Sequence, residues 1–287
     1  MHFSQQLKLH GWAIIPNILS DDEIEYAKQH FYNWQKTIPN HDEIHSKFDP
    51  HGIYKHHEIG HQKHSWFIRT RPAVQSIFKE LWKCEDLIVS FDGTCFISKS
   101  NKKSDNIWTH TDQAPCQKGL ACYQGFVALT TNKERTLVVY DKSHLLHESY
   151  FKKQNMSENK SNWNKIDHDT LNVIQGYKLV LNVPAGALVL WDSRVFHQNQ
   201  YGMPLSEERI VQYVCYLPRD HEKNTPAMQR KRQKYFEERR TTSHWPAPIH
   251  VNGKQPRTYG DNSLQIDYST LVAPDLSDLD NLIKNLL

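Results

Sequence analysis

The sequence has few of the residues that mark secreted, disulfide-bonded or membrane-spanning proteins. Its five cysteines in 287 residues are odd in number, and none forms a C-x-x-C pair, which argues against a disulfide framework or a zinc knuckle. No run approaches the roughly 20 apolar residues that span a bilayer, and the N-terminal residues lack the apolar segment of a signal peptide. We therefore expect a soluble protein of the cell interior, in the cytoplasm, with no membrane span.

A strong charge of either sign is also absent. The formal net charge of +3 is too small to indicate a nucleic-acid partner by itself. The length is sufficient for one large core, and neither repeats nor low-complexity tracts occur. We expect a single domain over residues 1–287, with its core at about 9–219 and a C-terminal extension of helix and loop at 220–287.

The first clear element is a helix that begins at Ser20. Ser20 and Glu23 have the spacing of a capping box, in which each side chain bonds the other residue's backbone N–H. Apolar residues then recur every three to four positions: Ile24, Ala27, Phe31 and Trp34. The spacing predicts an amphipathic helix that packs against the domain.

From residue 87 onward the pattern changes to short β-like runs separated by turn-forming residues. They include LIVSFDGTCFIS, YQGFVALTT, RTLVVYDKS, YKLVLNVPAGALVLWDSRVFH and RIVQYVCYLPR. Several short strands at close spacing predict a sandwich or barrel. The predicted class is mainly β with flanking helices, and residues 150–172, rich in Lys, Asn and Ser, are predicted to form an insertion loop.

Two further segments invite a functional interpretation. Residues 39–65 carry seven histidines, but without apolar periodicity, so we predict a polar loop near the entrance of the site rather than a metal site. After Pro226 a predicted helix carries a run of basic residues. Such a run is usually a solvated helix face, although binding of phosphate or nucleic acid stays open.

The segment WTHTDQ, residues 108–113, holds the first candidates for chemistry. Residues two apart on a strand point to the same face, so His110 and Asp112 can offer a nitrogen and an oxygen to one point in space. His197 follows the apolar strand 187–191 by a few residues. Two histidines and one carboxylate are the facial triad of non-haem Fe(II) oxygenases, which leaves coordination positions open on the opposite side.

Arg209 completes the pattern. It follows His197 by 12 residues and opens an alternating strand, RIVQYVCYL, which would aim its side chain at the same interior. A guanidinium in such a place can hold a carboxylate by two hydrogen bonds. Trp108, Tyr123, Gln124 and Trp191 are candidate walls of the pocket.

The order of these residues is more specific than any one of them. H-x-D, 85 residues to a histidine and 12 more to an arginine resembles the Fe(II)/2-oxoglutarate-dependent oxygenases, and in particular the phytanoyl-CoA dioxygenase-like superfamily. The segments GWAIIPNILSDDEIEYAKQHF, TLVVYDKSH and VPAGALVLWDSRVFHQN also resemble that superfamily. The resemblance covers residues 9–219.

The resemblance implies a double-stranded β-helix (jelly-roll or cupin-like) core, with Fe(II) bound by His110, Asp112 and His197. It also implies that Arg209 anchors the cosubstrate 2-oxoglutarate, with Asn199 beside it. The implied enzyme is a dioxygenase that uses O2 to hydroxylate a C–H bond of a small organic substrate and releases succinate and CO2. Asp112 is a carboxylate, so halogenation, which needs an open position there, is disfavoured.

Two departures from the superfamily bear on the substrate. Its usual Pro-Gly-Ser-His is here Asp141 to His144, and its acidic residue after the turn glycine is here Ala187. Three alternatives remain: a cupin-like protein with zinc or manganese, a catalytically silent binding module, and an oxygenase that acts on a macromolecule. The sequence does not determine the substrate or the oligomeric state.

Overall fold

The computed structural model describes residues 1–39 and 41–287. These form two compact units, each built from separate stretches of chain: residues 1–17 with 97–209, and residues 18–96 with 210–287. The organisation as one domain, with a core at 9–219 and an extension at 220–287, remains a prediction. Among the described residues, no helix has both the length and the apolar character needed to cross a membrane.

Short helices flank the strands. The α-helices of the described residues are α1 (Phe3–His10), α2 (Asp21–Gln35), α3 (His41–Phe48), α4 (Lys63–Arg69), α5 (Pro72–Trp82), α6 (His147–Lys153), α7 (His168–Val173), α8 (Pro226–Glu237) and α9 (Asp280–Lys284). Single turns of 3₁₀-helix lie at Pro50–Gly52, Ile59–His61, Ser143–Leu145, Gln175–Tyr177, Asn262–Leu264, Tyr268–Thr270 and Ser277–Leu279.

The strands occur mostly in the middle of the chain. They are β1 (Trp12–Ile15), β2 (Ile53–Tyr54), β3 (Leu87–Val89), β4 (Thr94–Ile97), β5 (His110–Thr111), β6 (Tyr123–Ala128), β7 (Leu137–Tyr140), β8 (Asn164–Lys165), β9 (Lys178–Val180), β10 (Leu188–Asp192), β11 (His197–Asn199) and β12 (Arg209–Pro218). The predicted class, mainly β with flanking helices, is confirmed.

The unit that contains residues 97–209 holds two sets of antiparallel strands. In one, β10 pairs with β1 on one side and with β6 on the other. In the other, the strand order is β8-β5-β11-β7-β9. Beside this second sheet lies an apolar cluster formed by Tyr140, Tyr150, Phe151, Ile166, Leu171, Ile174 and Phe196.

Helix α2 begins where the sequence predicts. The Ser20 hydroxyl accepts a hydrogen bond from the Glu23 backbone N–H, and the Glu23 carboxylate accepts one from the Ser20 N–H. The four predicted apolar residues are buried. The capping box and the apolar face are both confirmed, because both depend only on local spacing.

Two predicted loops contain regular structure. Residues 39–65 hold α3, β2 and the start of α4, although Asn40 lies outside the described residues. Residues 150–172 hold β8, which pairs with β5. Both loop predictions were wrong because they rested on polar composition, whereas these short elements are stabilised by their neighbours.

The basic helix forms as α8, but one of its arginines does not belong to a solvated face. Arg232 is fully buried and donates to the backbone carbonyls of Val89, Pro246, Leu286 and Leu287. It ties chain segments together within its unit. Arg230, Lys231 and Lys234 are exposed, as a solvated face requires.

Candidate metal centre

Pairing of β5 with β11 brings two histidines of distant sequence together. His110 and His197 are directly opposed in the register, and their ring centroids lie 4.4 Å apart. The ligand atoms of His110, Asp112 and His197 all lie within 4.8 Å of one another. Each of the three side chains is buried, so the cluster is held largely away from bulk water.

The hydrogen bonds of the two imidazoles decide which nitrogen faces the cluster. His110 Nδ1 lies 3.2 Å from the Trp108 carbonyl and His197 Nδ1 lies 2.9 Å from the Val195 carbonyl. A carbonyl only accepts, so each Nδ1 carries the proton. In the neutral ring each Nε2 then presents a lone pair, as a metal-binding imidazole requires.

These lone pairs point at a third acceptor. Asp112 Oδ2 lies 3.5 Å from His110 Nε2 and 3.2 Å from His197 Nε2. Burial lowers the pKa of His110 below its usual value, against the opposing charge of Asp112, and so favours the neutral ring. Three buried acceptors that face one another need a cation or a shared proton between them, and this donor set suits iron.

A glutamine ties the two strands of the cluster to each other. The Gln198 side-chain oxygen accepts from the Trp108 N–H at 3.2 Å and from the Thr109 hydroxyl at 2.7 Å. The Trp108 indole N–H donates to the Asn199 carbonyl at 3.0 Å, and its ring stacks on His110 with centroids 4.7 Å apart. The position of the His110 ring is therefore fixed by β11 as well as by β5.

Arg209 is a buried cation with unused donors. Its Nη1 donates to Asn199 Oδ1 at 2.9 Å and to the Thr136 carbonyl at 3.2 Å, and the side chain is fully buried. Its Nε and Nη2 have no hydrogen-bond partner. A buried guanidinium without an anion is costly, so this arrangement fits the carboxylate of an acid such as 2-oxoglutarate.

Two strands connect the cluster to the arginine. On β11, His197 belongs to the cluster and Asn199 bonds Arg209. On β6, Gln124 donates to Asp112 at 3.0 Å, while the Phe126 ring centroid lies 5.4 Å from the guanidinium carbon. Residues two apart on a strand are separated by about 7 Å, which is the scale of a short dicarboxylate.

The structure brings the predicted residues together in two groups, His110 with Asp112 and His197, and Arg209 with Asn199. Sequence reasoning named Gln124 only as a wall of the pocket and missed its hydrogen bond to Asp112. It also missed Trp163, whose ring centroid lies 5.6 Å from that of His110, because the segment 150–172 looked like a loop. Gln124 and Phe126 alternate along the predicted strand YQGFVALTT, and this alternation could have indicated that both side chains of β6 face the site.

A sequence relative covers most of this chain. No protein-family profile matches the chain. The chain is 27% identical over 231 residues to Ava biosynthesis cluster protein O of Aspergillus versicolor, which covers 73% of this chain and 75% of the relative.

Solved structures give the fold. The non-haem, alpha-ketoglutarate-dependent carbocyclase SnoK from nogalamycin biosynthesis matches with a TM-score of 0.51 and 17% identity, over 76% of this chain and 83% of SnoK. The apo form of the non-haem monooxygenase ThoJ matches with a TM-score of 0.53 and 13% identity, over 99% and 100% of the two chains. The chain thus has the cupin-like double-stranded β-helix fold of the non-haem iron, 2-oxoglutarate-dependent enzymes, as its sequence resemblance predicts.

Proposed function

We propose that this protein is an Fe(II)- and 2-oxoglutarate-dependent dioxygenase that hydroxylates a C–H bond of a small organic substrate. The observation that carries the proposal is the pairing of three converging buried acceptors with a buried arginine that keeps two donors unused. Iron and 2-oxoglutarate, when bound, supply the oxidation: O2 converts the 2-oxo acid to succinate and CO2, and the substrate C–H is oxidised.

The residues of the chain have distinct tasks in this proposal. His110, Asp112 and His197 hold the iron on one side and leave the other side for the cosubstrate and O2. Arg209 binds the distal carboxylate of 2-oxoglutarate through Nε and Nη2, and Asn199 orients the guanidinium through Nη1. Burial of all five side chains excludes water and strengthens these charge interactions.

The comparisons support the class of reaction and of substrate. SnoK is an alpha-ketoglutarate-dependent carbocyclase of nogalamycin biosynthesis, and the Aspergillus relative is named for a biosynthesis cluster. Both names favour a small organic substrate over a macromolecule. Since a carbocyclase shares this fold, hydroxylation is the part of the proposal that needs its own measurement.

The decisive experiment is an anaerobic titration of the Fe(II)-loaded protein with 2-oxoglutarate, followed by visible absorption. We expect the weak charge-transfer band of the iron–cosubstrate complex in the wild type and in His168→Ala, whose imidazole is exposed on α7. We expect no band in His197→Ala. If wild-type protein binds iron but shows no band, the chain is a cupin with other chemistry or a silent binding protein.

A second experiment addresses the outcome of the reaction. Succinate formation with O2 is measured against a panel of small organic substrates, and products are analysed by mass spectrometry after incubation under ¹⁸O2. Incorporation of one labelled oxygen atom supports hydroxylation. An unlabelled, dehydrogenated, cyclised or epimerised product would show that the chain belongs to the same reaction class but does not hydroxylate.

A further inference from the structure

Gln124 lies against the carboxylate of the metal cluster. It is 3% exposed, and its Nε2 donates to Asp112 Oδ2 at 3.0 Å. The orientation of the amide is not ambiguous, because a carboxylate can only accept and therefore must face the NH2 group. The other end of the amide, Oε1, has no hydrogen-bond partner, so the bond to Asp112 is the interaction that orients this side chain.

The oxygen that Gln124 bonds is the same oxygen that faces the histidines. Asp112 Oδ2 lies 3.5 Å from His110 Nε2 and 3.2 Å from His197 Nε2. A carboxylate oxygen has two lone-pair directions. The amide and the two imidazoles therefore meet at one oxygen of Asp112.

The backbone holds Gln124 in this place. The next residue, Gly125, packs so closely on β10 that a Cβ would lie 2.8 Å from the Val189 carbonyl oxygen. Gln124 is directly opposed to Trp191 on β10, and the Trp191 ring centroid lies 5.3 Å from that of His197. The two members of this cross-strand pair thus contact two different members of the cluster.

We propose that Gln124 is a positioning residue that keeps Asp112 as a ligand through one oxygen. The inference rests on the proposed function and goes beyond it. A turn of the carboxylate that brought Oδ1 toward the cluster in place of Oδ2 would break a buried hydrogen bond to a charged acceptor. By preventing that rotation, Gln124 keeps the position open that 2-oxoglutarate requires. A neutral amide does this without adding a positive charge that would compete with the metal.

The test separates binding of the metal from binding of the cosubstrate, and it needs no turnover. Gln124→Met keeps the length of the side chain and removes the amide. Co(II) is titrated into each protein by visible absorption, and 2-oxoglutarate is then titrated into the Co(II)-loaded protein. For Gln124→Met we expect Co(II) affinity within about threefold of wild type, an absorption spectrum shifted toward higher coordination, and 2-oxoglutarate affinity lower by about tenfold.

The matched control is Gln212→Met. Gln212 is also a buried glutamine, and it accepts hydrogen bonds from Ser65 and Thr94 in the other unit. We expect this variant to have a lower melting temperature but wild-type affinities for Co(II) and 2-oxoglutarate. Any loss that comes only from burying a thioether in place of an amide would appear in both variants.

Each remaining outcome decides against the proposal. Parallel loss of Co(II) and 2-oxoglutarate affinity in Gln124→Met, or no change in either, would mean that the amide only fills space or supports the fold. Failure of the wild type to bind 2-oxoglutarate would overturn the proposed function and this inference together. Should Gln124→Met not fold, a crystal structure of wild-type protein with Ni(II) and 2-oxoglutarate decides: two Asp112 oxygens on the metal would refute the inference.

Discussion

Two groups of histidines in this chain have opposite uses. The pair His110 and His197 comes from strands far apart in sequence, and both rings present a lone pair to one carboxylate. The histidine-rich segment, residues 41–64, contains more histidines, of which His45, His61 and His64 bond separate partners within their own unit. Within residues 1–39 and 41–287, no other three His, Cys, Asp or Glu side chains bring ligand atoms as close together as the cluster does.

The bonds of the histidine-rich segment lead to different parts of its unit. His45 uses both nitrogens, one on Asp49 Oδ2 and one on the Phe96 carbonyl, each at 2.8 Å. His61 Nε2 lies 3.1 Å from the Arg240 carbonyl, and His64 Nε2 lies 3.1 Å from the Thr94 hydroxyl. His61 and His64 keep Nδ1 without a partner, just as the cluster histidines use only one nitrogen each, so convergence of ligand atoms and not the number of histidines indicates a site.

The buried arginines make the same contrast. Arg69, at the end of α4, donates to the carbonyls of Gly60 and Asp92 and so joins backbone segments of its unit. Arg209 keeps both Nε and Nη2 without a partner. Arg69 uses both terminal nitrogens within the fold, whereas Arg209 keeps the two donors that the proposed carboxylate contact needs.

The largest expected effect separates the two groups of histidines directly. Replacing His197 with Ala removes one of three ligands, so Fe(II) affinity and turnover should fall by more than about a hundredfold, beyond the loss that changes around a metal ligand usually cause. His64→Ala should leave iron binding unchanged and lower the melting temperature, because it removes a buried ring and its hydrogen bond to Thr94. Isothermal titration with Fe(II) under argon measures the iron affinity, and thermal melts measure the stability. An equal loss of iron affinity in the two variants would show that the two groups of histidines do not differ in metal binding.

The next effect separates the two arginines. Arg209→Gln removes the charge that would bind the distal carboxylate, and hydrogen bonds to charged groups contribute about 1.5–3 kcal/mol. We expect 2-oxoglutarate affinity to fall by about ten- to a hundredfold, with Fe(II) affinity retained. Arg69→Gln should cost stability and leave 2-oxoglutarate affinity unchanged in the folded fraction. Wild-type 2-oxoglutarate affinity in Arg209→Gln would refute the cosubstrate assignment.

A fall in pH should destabilise the folded protein through the buried histidines of the histidine-rich segment. Burial lowers the pKa of His57 to about 4 and that of His61 and His64 to about 3, with the charge of Arg69 as the second cause for His61 and His64. The unfolded chain, in which histidine has a pKa near 6.5, then binds more protons than the folded chain. Stability is therefore complete above pH 6.5 and is lost as the pH falls toward 4.

The size of this effect can be measured one residue at a time. Each such histidine contributes a slope of about 1.4 kcal/mol per pH unit within that window. Urea unfolding of His64→Leu across the window should show a pH slope smaller by about that amount. The exposed His168→Leu should keep the wild-type slope, and an unchanged slope in His64→Leu would show that the ring is charged in the folded protein.

The smallest expected effect is an absence of change. His56 and His57 lie in the histidine-rich segment, and a variant with both replaced by Ala should still bind one Co(II) per folded chain with wild-type affinity. Metal content after loading and desalting, measured by inductively coupled plasma mass spectrometry, provides the count. A second equivalent that is present in wild type and lost in the variant would show that the segment binds metal after all.

The sequence predicted the parts of this protein that depend on local spacing. The capping box of α2 and its apolar face follow from positions three to four apart, and the strand runs from residue 87 follow from alternation and turn residues. The ligand candidates His110 and Asp112 were predicted from their spacing of two on a strand; β5 ends at Thr111, so Asp112 lies just beyond it, yet both side chains reach the cluster. Arg209 was proposed from its place after His197, and Asn199 from the resemblance to the superfamily.

The parts that were wrong depend on partners distant in the chain. Residues 150–172 have the composition of a loop, yet Lys165 is opposed to His110 in a two-residue strand. Arg232 belongs to a basic run, yet its guanidinium donates hydrogen bonds to four backbone carbonyls from other segments. Short or polar elements of this kind have little intrinsic preference, and their neighbours decide their structure.

By itself, the sequence determined which side chains could bind a metal and an acid, because residue chemistry and spacing along a strand are local properties. Only the tertiary structure decided that β5 pairs with β11, that each Nδ1 bonds a backbone carbonyl, and that Gln124 holds Asp112 from β6. The pairing of β5 with β11 joins residues 87 positions apart and the Gln124–Asp112 bond joins residues 12 apart, and no pattern within one strand records which distant strand will lie beside it. The physical reason is that a side-chain lone pair can bind a metal only when folding brings other ligand atoms to the same point and gives that lone pair no other hydrogen-bond partner.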